Sequence, residues 1–167
     1  ICSELVQIDS ANHGGSEAAV AQKILRRLSK LGCSVPESCV RILKHCDKRS
    51  SMVITLPGER DDIVVGFAGH LDTVPLGEAA QWKWPPLSGH VDEHNVWGRG
   101  TVDMKSGVTA MLLLYASYVI QDKKPPVTLR FFYTSDEESH GIGAQALNDA
   151  GAFDGLAFLF ICEPTAC

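Results

Sequence analysis

Residues 63–70 read IVVGFAGH, an unbroken run that is apolar at odd and even positions alike. A strand with one wet face alternates apolar and polar residues. A strand that is apolar on both sides belongs inside a sheet with helices over each face. The turn-rich PGERDD before it leads into this strand, and the run ends on a histidine, His70. The flanking sequence supplies the other layers. Ser16 stands where it can cap a helix whose apolar positions Val20, Ile24, Leu28 and Leu31 recur at spacings of four and three, with Gly32 closing it. Residues 39–44 and 51–56 are extended. SGHVDEHNVWGRG reads as a polar hairpin ending near Gly98, and residues 105–120 read as a helix broken by KKPP. VTLRFFYTS is a strand, GAQALNDAG a short helix stopped at Gly151, and LAFLFICEP a last buried strand. Strands alternating with helices predict an α/β fold, a three-layer α/β/α sandwich with a largely parallel central sheet.

Composition narrows the function classes. The 167 residues are 45% apolar and 21% charged, enough for one full core. A net charge of −5 argues against nucleic acid, which needs a basic face. No apolar run approaches the roughly 18 residues of a membrane span. The longest, residues 108–120, contains Thr109, Tyr115, Ser117 and Tyr118 and reads as a buried helix. Six cysteines, at 2, 33, 39, 46, 162 and 167, include no C-x-x-C pair, which speaks against a zinc knuckle and for buried free thiols in a reducing compartment. With no basic leader or small-residue cleavage site, the expected location is cytoplasmic.

Four stretches end an apolar element with a potential metal ligand: His70 in GHLD, Asp103 in GRGTVDMKSG, Glu138 in TSDEES and Glu163 in ICEPT. Sites in open α/β sheets form beyond the carboxyl ends of the strands, so these residues are expected along one edge. Imidazole nitrogen with carboxylate oxygens suits zinc, with cobalt or manganese as substitutes. Asp72, two residues past His70, projects to the same side of an extended chain and can accept a hydrogen bond from the ring nitrogen that no metal uses. Each piece also has a plainer explanation. H-x-D can be a polar turn, Asp103 a helix N-cap, Glu137–Glu138 a solvated charge run, and Glu163 the end of a strand. Adjacent Glu137 and Glu138 point to opposite sides of an extended chain and can serve one site only if DEESHG turns. One carboxylate could then hold a metal while the other faces substrate as a base.

GHLDTVP, WGRGTVDMKSG, FFYTSDEESHGIGA and ICEPT, in this order and spacing, resemble the aminoacylase/carboxypeptidase family of metallohydrolases. That family includes acetylornithine deacetylase, succinyl-diaminopimelate desuccinylase, aminoacylase, carboxypeptidase G and several dipeptidases. The resemblance implies a zinc-exopeptidase-like fold and two zinc ions per active site. His70, Asp103 and Glu163 would hold one zinc, and Asp103 would bridge to a second held by Glu138. Asp72 would orient His70, and Glu137 would be the general base. Enzymes of this kind hydrolyse an amide near a free carboxylate, in an N-acyl amino acid or small peptide: a water gives a proton to Glu137 and attacks the carbonyl, the metals stabilise the oxyanion, and Glu137 protonates the leaving amine.

Family members complete the second zinc site with a histidine near their C-terminus and carry a lid domain, usually the dimer interface, inserted just after the EPT stretch. The resemblance therefore implies that residues 1–167 are the N-terminal, larger part of a catalytic domain, without the lid and the C-terminal segment. Such a piece is expected to be inactive alone, and its parent to be a homodimer. Cys162 stands where a glycine is common and reads as a packed thiol. Two other readings stay open. Gly141-x-Gly143-x-x-Ala146 after a strand, with an acidic residue about 20 further on, resembles a dinucleotide-binding unit. A non-catalytic relative on the same fold would carry the same motifs.

Overall fold

The computed structural model describes residues 1–12 and 14–165, so Cys167 lies outside the described residues. In chain order the elements are α1 (Cys2–Val6), α2 (Glu17–Lys30), β1 (Val40–Lys44), β2 (Ser50–Leu56), β3 (Arg60–His70), β4 (His90–Val91), β5 (Val96–Trp97), α3 (Ser106–Ile120), β6 (Val127–Thr134), α4 (Ile142–Asp149) and β7 (Leu156–Ile161). Five strands form one sheet in the order β1-β2-β6-β3-β7, and β4 pairs with β5 in a separate hairpin. The β1–β2 and β2–β6 pairs are antiparallel, whereas β3 runs parallel to both β6 and β7. Two successive antiparallel steps return β1 to the direction of β6. Four of the five strands therefore point one way, and β2 alone opposes them.

Period-two alternation along the strands feeds a core on each face. Met52, Ile54, Phe131 and Tyr133 pack with Ile24 and Leu28 of α2 and with Leu112 and Tyr115 of α3. Val53, Ala68 and Phe132 face the other way, against Leu147 of α4 and Ala152. These are the three layers. Ser16 does cap α2, its Oγ accepting a hydrogen bond from the Ala19 N–H at 3.2 Å. Gly32, at φ +78°, turns the chain away at the other end.

α1 has only five residues, too few for a periodicity to show, and has no counterpart in the pattern read from the sequence. Three expectations need correction. β3 begins at Arg60, inside the stretch read as a turn, because Arg60 pairs with Val127 before a register shift at Val64. β7 is a strand, but not a buried one: Phe158 is 68% and Ile161 59% exposed, since β7 lies at the sheet edge with β3 as its neighbour. Among the described cysteines all are free, but Cys33 alone is buried, while Cys46, on the turn between β1 and β2, is exposed. Cys162 packs at the margin of the larger core, as expected.

Candidate metal centre

β3, β6 and β7 are parallel neighbours, so the segments leaving their carboxyl ends emerge side by side. His70 is the last residue of β3, in register with Thr134 at the end of β6. The Cys162 N–H donates to the Ala68 carbonyl at 2.8 Å, which brings Glu163 alongside His70. Asp103 arrives from the irregular segment 101–105 ahead of α3. It does not cap that helix, whose N-cap is Lys105; its backbone is extended, at φ −113° and ψ 98°.

His70 is held on three sides. Its backbone N–H donates to Met104 Sδ at 3.1 Å, under a strand end where Gly69 leaves room for the thioether. Ring Nδ1 lies 2.9 Å from the Asp72 carbonyl oxygen, an acceptor only, so Nδ1 carries a hydrogen. Nε2 faces the carboxylates: Asp103 Oδ1 at 2.9 Å, Glu163 Oε1 at 3.4 Å and Glu137 Oε2 at 3.9 Å. The ligand atoms of His70, Asp103 and Glu138 all lie within 4.8 Å of one another, a spacing that one metal ion can span.

Asp72 behaves differently from the sequence expectation. Its backbone carbonyl takes the ring hydrogen, while the carboxylate, 3.6 Å from Nδ1 at Oδ1, works on the neighbouring turn. Oδ1 accepts from the Glu137 N–H at 3.1 Å, and Oδ2 from the Glu138 N–H at 3.1 Å and from Asn12 Nδ2 at 2.7 Å. Fully buried, one carboxylate thus anchors two consecutive amides. The turn required of DEESHG is present. Asp136 takes the left-handed region, φ +63°, which aspartate tolerates, and the chain reverses there. Sequence reasoning missed Asn12 and Met104. Asn12 lies 60 residues from Asp72 with no local pattern to mark it.

Electrostatics follow from crowding. Burial disfavours a charge on His70, but hydrogen bonding and attraction from Asp72, Glu163 and Asp103 outweigh it and lift its pKa to about 9. The Glu138 carboxyl is raised, first by burial and then by Asp103; Glu163 is raised by burial, with Asp103 and the neighbouring glutamates adding to it. Asp72 is lowered despite its burial, because His70 and the two turn amides favour its charged form. Carboxylates that repel one another around a single imidazole make a site whose charge balance favours a cation.

The glycines of the dinucleotide-like pattern are otherwise engaged. Gly141 N–H donates to the Asp136 carbonyl at 2.6 Å and Gly143 N–H to the Ser135 carbonyl at 3.1 Å. A Cβ on Gly143 would collide with the Ser135 backbone, so that glycine serves close helix–strand packing.

The sequence profile of peptidase family M20/M25/M40 matches residues 66–167, more than half of the chain and every motif around the centre. The chain belongs to this family. A succinyl-diaminopimelate desuccinylase of Paracoccus denitrificans is 46% identical over 85 residues, covering 50% of this chain and 22% of that protein. A probable succinyl-diaminopimelate desuccinylase of Staphylococcus aureus is 34% identical over 124 residues, covering 74% and 30%. The chain thus spans less than a third of the length of these relatives. The fold matches an M20 family metallo-carboxypeptidase of Sulfolobus solfataricus with a TM-score of 0.74 at 17% identity, over 96% of this chain and 36% of that one. A dinuclear metal-binding M20 peptidase of Bacillus subtilis superposes with a TM-score of 0.62 at 20% identity, over 96% and 40%.

Proposed function

We propose that this chain is the metal-binding part of an amidohydrolase acting on an N-acyl amino acid or small peptide, of the desuccinylase and deacylase kind. The convergence of His70, Asp103 and Glu138 within 4.8 Å, with Glu137 and Glu163 beside them, is the observation that supports this reading most. The donor set fits zinc: one imidazole nitrogen and carboxylate oxygens, with excess negative charge for a divalent ion to balance. His70, Asp103 and Glu163 would hold one ion, and Asp103 with Glu138 a second. When bound, the ions would supply Lewis acidity at the scissile carbonyl.

The chain's own residues do the rest. The Asp72 carbonyl keeps the hydrogen on His70 Nδ1 and leaves Nε2 as the donor atom. Asp103, more than half exposed, opens the centre to substrate. Glu137, also more than half exposed, would take a proton from the attacking water and return it to the leaving amine. We assign the whole protein a cytoplasmic location and a lid-borne dimer interface, in keeping with the resemblance. Among the described residues no helix is long and apolar enough to cross a membrane.

The test is elemental analysis of the dialysed chain beside an assay of the encoded full-length protein, zinc-loaded, on N-succinyl and N-acetyl amino acids and dipeptides. We expect at most about one tightly held metal per chain, because the three-ligand set is the fuller one, and metal-dependent turnover of an N-acyl substrate by the full-length protein. Metal retained undiminished in His70→Ala and Asp103→Ala would move the site elsewhere. Absence of any amide hydrolysis would favour a non-catalytic relative.

A further inference from the structure

Beneath the turn that carries Glu137 and Glu138 lies a polar chain of which the proposed reaction uses only Asp72. Its centre is Arg49, just ahead of β2, whose guanidinium makes two hydrogen bonds and one further ion pair. Nη1 donates to Asp136 Oδ1 in a short contact, Nη2 donates to Asn12 Oδ1 at 3.0 Å, and Nε sits 3.2 Å from Glu17 Oε1. With its oxygen held by Arg49, the Asn12 amide must turn its Nδ2 toward Asp72, and the 2.7 Å bond to Asp72 Oδ2 follows. Asp72 in turn takes both turn amides. Arg49 therefore grips this turn twice: directly at Asp136, the residue before Glu137, and through Asn12 and Asp72 at the amides of Glu137 and Glu138. Glu17, Asn12, Asp72 and Asp136 are all buried, which makes each bond hard to replace by water.

We propose that Arg49 and Asn12 are positioning residues that set where Glu137 and Glu138 stand over His70, acting through Asp72. The inference rests on the functional reading above for what those glutamates do, and on geometry alone for how they are held. A lysine at position 49 keeps the charge but lacks the planar fork that donates to Asp136 and Asn12 at once. A merely neutralising role for Arg49, offsetting Glu17 and Asp136, would survive that change; the positioning role would not.

The experiment uses Asn12→Ala and Arg49→Lys, with two readouts. The first is amide hydrogen exchange of the metal-free chain, resolved at Glu137 and Glu138. Opening of the turn should speed exchange at both amides by roughly tenfold or more, while β2 and β6 keep their protection. Asn12→Ala leaves both ion pairs of Arg49 in place, so it serves even where Arg49→Lys folds poorly. The second is steady-state kinetics of the full-length protein, where kcat should fall by about 10- to 100-fold, the usual effect of losing a residue that orients a metal ligand or base, with KM changing much less. Unchanged exchange at Glu137 and Glu138 in Asn12→Ala overturns the proposal. So does Arg49→Lys with wild-type exchange and wild-type kcat. Faster exchange with an unaltered kcat sustains the positioning role and instead removes Glu137 and Glu138 from the reaction.

Discussion

Glu137 and Glu138 are neighbours whose backbone amides share one acceptor, Asp72, yet they stand differently at the centre. Glu138 joins His70 and Asp103 in the cluster whose donor atoms lie within 4.8 Å, whereas Glu137 Oε2 stays 3.9 Å from the imidazole and its side chain is more than half exposed. Replacement should separate them. Glu138→Gln in the full-length protein is expected to weaken one metal, with activity recovering in excess zinc or cobalt. Glu137→Gln keeps the shape and the hydrogen-bonding capacity but removes the base. Its metal content should stay near wild type, while kcat falls by roughly 10² to 10⁴ and added metal gives no recovery. Metal content by elemental analysis and kcat across a metal titration check both. Metal loss from Glu137→Gln alone would reverse the assignments, and near-normal rates in both variants would make the pair ordinary surface charges.

Among the elements, the β4–β5 hairpin shows how a few polar contacts shape a small structure beside the centre. Asp92 follows β4 and accepts from the backbone N–H groups of His94 and Asn95 at 2.9 and 2.8 Å, and from Trp97 Nε1 at 2.6 Å. The His94 and Asn95 amides and the Trp97 indole favour the charged carboxylate and lower its pKa from 3.8 to about 2. A depressed acid contributes order that is complete above its unfolded value and lost as pH falls through its folded one. The Trp97 indole N–H resonance should therefore hold its position from neutral pH down to about pH 3, past the point where an ordinary aspartate has titrated. Asp92→Asn should displace that resonance at neutral pH and leave it insensitive to acid. A midpoint near 3.8 in the wild-type chain would mean that the three donors do not hold the carboxylate in solution.

The molecule as a whole has one uneven flank. The two interior layers are closed by α2 and α3 on one side and α4 on the other, but β7 offers Phe158, Leu159, Phe160 and Ile161 to solvent at 41–68% exposure. Strand edges with apolar side chains on both faces pair readily with other chains. The 167-residue chain is expected to self-associate at micromolar concentration and to bind a hydrophobic dye. Phe158→Lys with Ile161→Lys should reduce both effects while leaving the melting transition close to wild type, since neither side chain is in the core. Sedimentation velocity and dye fluorescence check this; a dispersed, dye-silent wild-type chain would show that the edge is not adhesive.

Much of this architecture was legible in local pattern. The doubly apolar run ending at His70, the spacing of Val20, Ile24 and Leu28 under a Ser16 cap, and the ends of α3 and β6 follow from periodicity and capping, which act between residues a turn or two apart. The ligand-type residues could be named because each ends such an element and because four ordered motifs resemble one family. Three things were decided only by the tertiary fold. Asp103 faces His70 instead of capping α3 because its own backbone leaves the helical region, at φ −113° and ψ 98°, where it passes the imidazole. The Asp72 carboxylate serves the glutamate turn because strand order places β6 beside β3 and brings two free amides within reach. Arg49 reaches Asp136 across 87 residues of sequence and Asn12 reaches Asp72 across 60, distances at which no periodicity survives and only packing selects the partner.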